Sequence, residues 1–282
     1  MKRFNAEVVD FNIIALNENI PQTTLYPYFR RDNGPCHMAI VSPQHGRSYV
    51  VHQPVNPEED RYIVSKGNGL SYTTETIIIT PEQTYDIFGL LAKDDALRDF
   101  NVGMEIAELG IKTNIMEAVL ELNMDVVGHN SQIIHPYLLQ YSVESPYRIS
   151  DAAFMTKDTI RKYVEKWNSL DEWNCDASYK IAAHVLIRNL RILHDNQILH
   201  NAFSSQNLTW ALELLDFELA YTPSIPYTKE DYCRHVPDLY DREVMYIYQI
   251  ILDIAWILQE DVDYGFLDGL FAYYGFKLSD FR

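Results

Sequence analysis

Apolar and polar positions change their period partway along the chain. In the first half they alternate or run in short β-branched blocks. Phe11–Leu16, Met38–Val41, Ser48–His52, Arg61–Ser65, Thr73–Thr80 and Ile115–Leu122 each predict a strand, and Pro21, Pro27 and Pro81 mark ends. Ser131–Tyr141 reads as another strand, interrupted by Pro136, and Leu138–Glu144 as the connection between two halves of the molecule. One helix breaks the series. Asp94–Gly110 lines up Leu97, Phe100, Met104, Ala107 and Ile111, with Asp94 and Asp95 at the acid-favouring end and Gly110 as the stop. From Thr156 a three-to-four spacing takes over. Lys157–Trp167, Cys175–His194 and Tyr240–Leu258 predict helices, the last apolar enough (Val244, Ile247, Ile251, Ala255, Leu258) to be a buried central one. Between them Leu219–Asp238, with Pro223, Pro226 and Pro237, reads as irregular. The pattern predicts an α+β chain, β-rich over residues 1–140 and mainly helical over 141–282.

With 282 residues, 47% hydrophobic and 13% aromatic, the chain can bury a large core, as one domain or as two lobes sharing a cleft. Its net charge of −17 argues against a nucleic-acid or anionic-membrane surface, since phosphates would be repelled. Cys36, Cys175 and Cys233 are odd in number and far apart, which suggests reduced thiols and neither a disulfide framework nor a zinc site. MKRFNAEVVDFN is followed by no apolar signal region, and the run Met245–Leu258 is short and carries Asp253, so a cytoplasmic protein without a membrane span is expected.

Candidate chemistry lies at a few places. The turn Ser42–Arg47 offers Gly46, where backbone can approach a phosphate, and Arg47, a charged fork. Lys66, at a strand end before Gly67-Asn68-Gly69, is a candidate phosphate ligand. Glu105 and Glu108 border the helix face, and either could pair with Lys66. Arg148 follows Ser145-Pro146-Tyr147. The richest stretch is Leu193–Ala220, with His200, Asn207 and Asp216 in order. An amide oxygen and a carboxylate at the two ends of a short hairpin are hard donors that suit a magnesium ion on nucleotide phosphates. Each feature also has an ordinary reading: a hairpin turn, a solvated edge lysine, solvated glutamates, an asparagine capping a turn.

The order of these features resembles the protein-kinase superfamily, through the "LH…IxH" spacing at Leu193–His200, Asn207 and the Asp216-Phe217-Glu218 triplet. Within it, the chain is most similar to the selenoprotein O (YdiU) family over roughly residues 40–220. Gln44-His45-Gly46-Arg47, Lys66-Gly67-Asn68-Gly69, Arg98-Asp99-Phe100 with Leu109-Gly110-Ile111, Ser145-Pro146-Tyr147-Arg148 and His200–Asn207 each resemble one of its motifs. The resemblance implies a two-lobed kinase-like fold, β-rich then helical, that binds ATP and magnesium. It also implies transfer of AMP to hydroxyls of a protein acceptor. Lys66 with Glu105 or Glu108 would hold phosphates, Asn207 and Asp216 the metal, and Gly46, Arg47 and Arg148 the nucleotide. Three residues depart from it. Ala202 occupies the kinase base position, Gln206 replaces the aspartate before the metal asparagine, and Glu218 replaces the glycine after Phe217. A catalytically dead pseudokinase acting through a partner protein is therefore the alternative, and an unrelated α+β domain a third.

Overall fold

The computed structural model describes residues 1–42, 44–55, 61–69, 89–127, 131–226 and 237–278. The strand expected at Thr73–Thr80, and Cys233, lie outside them. The chain falls into two compact units, Met1–Met104 with Asn114–Pro146, and Glu105–Thr113 with Tyr147–Arg282.

The first unit carries a sheet of eight strands, all pairs antiparallel: β1 (Lys2–Val8), β2 (Phe11–Leu16), β3 (Tyr28–Arg30), β4 (Cys36–Ile40), β5 (Ser48–His52), β6 (Tyr62–Lys66), β7 (Ile115–Leu122) and β10 (Tyr137–Val143). A separate hairpin joins β8 (Val126–Val127) to β9 (Ile133–Ile134). The order in the large sheet is β2-β7-β10-β6-β5-β4-β1-β3. Only Val9 and Asp10 link β1 to β2, yet six inter-strand steps separate them in that order. On a flat sheet those steps would span about 29 Å at ~4.8 Å each. The link from Val8 to Phe11 reaches at most about 11 Å. The sheet must therefore roll until its margins approach. The packing agrees, because Phe29 of β3 lies in one apolar cluster with Ala118 and Leu120 of β7.

Strand β10 is buried along its whole length, so residues 138–143 are sheet core and not the connection expected there. Pro136 separates β9 from β10, which resolves the single interrupted strand expected over Ser131–Tyr141 into two. The polar Gln140 and Ser142 made the last residues of β10 read as a connection as well as a strand. The Gln140 amide donates to Thr24 O at 2.8 Å and to Glu117 Oε2 at 2.7 Å, and its carbonyl accepts from Tyr26 N–H at 2.9 Å. A fully satisfied amide can sit in a core. Glu117 is itself buried, and burial pushes its carboxyl up against the lowering effect of the Gln140 hydrogen bond.

Helix α1 (Lys93–Glu108) begins in the first unit, and its last residues, from Glu105, belong to the second. Its inward face runs through Ala96, Asp99, Phe100, Val102 and Ile106, while Ala107 is exposed. That is a rotation from the face the sequence predicts. Gly110 stops the helix at φ +76, a left-handed position that suits glycine. The second unit holds α2 (Lys157–Asn168), α3 (Ser178–Asp195), α4 (Pro237–Leu258) and α5 (Tyr264–Tyr273). Thr156 caps α2 and Asp263 caps α5, each accepting a backbone N–H from three residues on. Helix α4 is the buried apolar helix expected, with Val244, Ile247, Ile251 and Ala255 inside. The α+β class read from the sequence is the class observed. No described helix is long and apolar enough to cross a membrane.

Candidate functional site

In the sheet-rich unit the candidate residues gather at one end of β5 and β6. Lys66 ends β6, pairing with Ser48 on one side and Leu139 on the other. Gly67 follows at φ +102, and a Cβ there would lie 2.3 Å from Tyr137 O, so only glycine fits. Its N–H donates to Arg47 O at 2.8 Å, which ties the Gly46-Arg47 turn to the lysine strand. A carboxylate from α1 does meet Lys66, and it is that of Asp99. Nζ donates to Oδ2 at 3.0 Å, with the two side chains 5% and 2% exposed. Glu105 and Glu108 were the expected candidates for that role. Glu105 instead accepts from Thr222 and Ser224, and Glu108 is exposed.

In the helical unit the stretch 199–216 folds as a loop closed by a tight hairpin. Leu208 bridges Leu214, and Thr209 caps the tip by accepting the N–H groups of Ala211 and Glu213 on its hydroxyl. Leu215 N–H donates to Asn207 O at 3.0 Å, which seats Asp216 beside Asn207 in the chain path. Asn207 Nδ2 donates to Ala202 O at 2.9 Å, and among the described residues its Oδ1 has no protein partner. Asp216 sits at φ +67, a left-handed conformation that few residues other than glycine adopt.

His200 fixes this arrangement from inside. It is fully buried between Phe203, stacked at 4.7 Å, and Phe217, edge-on at 5.4 Å. Nδ1 accepts Ala202 N–H at 3.2 Å, so the proton resides on Nε2, which donates to Leu215 O at 2.9 Å. Burial pushes its pKa below the usual histidine value, and the ring is neutral. His200 therefore pins the start of the loop to the residue before Asp216, a positioning role.

One further support was not expected from the sequence. Glu243 of α4, wholly buried, accepts Asn201 N–H at 2.7 Å on Oε1 and holds His194 Nε2 at 3.0 Å on Oε2. Asn201 is left-handed at φ 61. The available signal was a carboxylate in register with the apolar stripe Ile247, Ile250 and Ile254, just as Asp99 is in register with Ala96 and Ile106. Arg148 donates from Nη1 to Gln206 O at 2.8 Å, and its own N–H donates to Asp151 Oδ2 at 2.7 Å, at the head of a 3-10 turn (Ile149–Phe154). It thus braces the loop next to Asn207. Gln206 is exposed, and Ala202 has no titratable group.

No family model and no curated protein matches the sequence. Among solved structures, the chain is similar to a rhoptry antigen kinase domain of Toxoplasma gondii at 12% identity and a TM-score of 0.41, over 81% of this chain and 75% of that one. So loose a likeness leaves the functional reading to the residues themselves.

Proposed function

We propose that the chain is a kinase-like protein that binds ATP with magnesium, with Asn207 and Asp216 as the metal ligands. The observation that carries this is the loop–hairpin–aspartate arrangement of 200–216. A neutral buried histidine and the Leu215–Asn207 backbone bond fix an amide and a carboxylate at the two ends of a hairpin. The donor set fits the ion: Asn207 commits its NH2 to Ala202 O, so its oxygen is the acceptor left over, and hard divalent cations take such oxygens together with carboxylates. When bound, magnesium would neutralise charge on the phosphates. Lys66, charged through its pair with Asp99, supplies a cation on the sheet-rich unit, and the Gly46-Arg47 turn beside it a guanidinium. Asp99 takes the part expected of Glu105 or Glu108. Arg148 is the nucleotide contact that the selenoprotein O resemblance implies.

On this reading the chain transfers AMP to a protein hydroxyl. The acceptor oxygen bonds the α-phosphorus, the bond to pyrophosphate breaks, and the hydroxyl proton leaves with pyrophosphate or water. With Ala202 at the base position and an amide at 206, no side chain there removes that proton, so positioning and charge neutralisation carry the step. The same two residues favour the second reading, a pseudokinase that binds nucleotide and works through a partner protein.

Labelled ATP decides between them. Label from the α-phosphate appearing in protein supports AMP transfer, and label from the γ-phosphate phosphorylation. Neither, with magnesium-dependent thermal stabilisation by ATP, supports the pseudokinase. Asp216→Ala is expected to abolish that stabilisation; an unchanged ATP shift in this variant would overturn the metal assignment.

A further inference from the structure

We propose that Glu105 is a latch on the stretch of chain that follows Asp216-Phe217-Glu218. Its Oε2 accepts from Ser224 Oγ at 2.5 Å and from Thr222 Oγ1 at 3.0 Å, and the two hydroxyl oxygens lie 3.0 Å apart. Thr222 Oγ1 also accepts Ile225 N–H at 3.0 Å. One carboxylate oxygen from the end of α1 therefore gathers both hydroxyls of Thr222-Pro223-Ser224 and, through Thr222, the turn into Ile225. Hydrogen bonds to an ionised acceptor are about twice as strong as neutral ones, so the gathering point is the carboxylate.

What lies upstream is held differently. Tyr221 pairs with Leu199 through two backbone bonds, of 2.7 and 3.0 Å, and Ala220 N–H closes a turn on Phe217 O. Tyr221 is thus held through its backbone, whereas Thr222 and Ser224 are held through their side chains. The two halves of the latch also differ in exposure. Thr222 is fully buried, Glu105 is partly covered and Ser224 faces solvent. The latch opens from the Ser224 side, where water, a competing donor or an added charge reaches Glu105 first.

The hydrogen bonds alone support the latch. What it guards rests on the reading of Asp216 as a metal ligand. Opening it frees Thr222-Pro223-Ser224 to meet a protein acceptor, while the metal pair stays in place. The latch is a contact that holds the acceptor side closed.

Limited proteolysis of the full chain, with cleavage sites mapped by mass spectrometry, tests it. Ser224→Asp sets a second negative charge against Glu105 and is expected to raise cleavage within 222–226 by about tenfold or more. Ser224→Ala is expected to raise it about threefold. Glu105→Gln added to Ser224→Asp should bring the rate back toward that of Glu105→Gln alone, because the repulsion is gone. Parental cleavage in Ser224→Asp, or an equal rise at sites throughout the chain, overturns the latch. The metal reading fails separately, through absence of magnesium–ATP stabilisation in the parent while the cleavage pattern still responds to Ser224→Asp.

Discussion

Two polar arrangements, one in each unit, are built on opposite plans. In the sheet-rich unit, Lys66 and Asp99 meet as side chains across a strand and a helix, with both charges inside. In the helical unit, Asn207 and Asp216 are held within a short stretch by backbone bonds and one neutral histidine, and Asp216 stays partly exposed. A buried pair is costly to separate, since either charge left alone has no solvent to turn to. A backbone-held loop can lose a side chain and keep its shape. The first plan makes the charged groups part of the core; the second sets the loop's shape mainly through its backbone.

The sharpest way to break this contrast is to remove one member of the pair. Asp99→Ala is expected to cost about 3–5 kcal/mol in urea unfolding, with much of the loss recovered in Lys66→Met/Asp99→Leu. A cost near zero would mean that Lys66 is solvated, and the contrast would fail. Next comes the pin of the loop. His200→Phe is expected to cost about 1–3 kcal/mol, because Ala202 N–H and Leu215 O lose their partner. The sign of its pH dependence follows from linkage. The folded value lies below the unfolded value of 6.5, so the contribution of the neutral ring is complete above 6.5 and is lost as pH falls through the folded value. Unfolding measured from pH 8 to 5 should fall more steeply in the parent than in His200→Phe; equal slopes would rule out the neutral pin.

The smallest effect is expected at the aspartate itself. Asp216→Gly relieves a left-handed side chain at φ +67 but frees the unfolded chain, so stability should stay within about 1 kcal/mol of the parent. Magnesium-dependent stabilisation by ATP should vanish all the same. A large stability loss would show that Asp216 belongs to the structure as firmly as Asp99.

What could be read from the sequence followed from local rules. Phe11–Leu16, Ser48–His52 and Ile115–Leu122 were legible as strands because β-branched and apolar residues cluster there, and Gly110 because a left-handed stop needs glycine. Strand β1 was not, since only Phe4 and Ala6 face inward between charged ends. Strand β10 was read only in part, because Gln140, whose partners Thr24 and Tyr26 lie over a hundred residues away, made the same residues look like a connection. In the loop, the order of His200, Asn207 and Asp216 was visible because backbone geometry enforces local spacing. The pairing of Asp99 with Lys66 and the role of Glu243 were not legible, for the opposite reason. A carboxylate on an apolar stripe makes sense only once its distant partner is known, and helical acids are usually solvated.

The rolled sheet has a consequence for biosynthesis. Phe11 pairs with Leu122 and Leu16 with Ala118, so the second strand made must wait for more than a hundred further residues before its partner exists. Until then the uncharged segment FNIIAL emerges from the ribosome as an open template for other nascent chains. Deleting the first sixteen residues would remove that hazard, but it would also strip the sheet of its edge strand β2 and of β1, which joins β3 to β4. Strand β2 is thus a risk during translation and a seam afterwards.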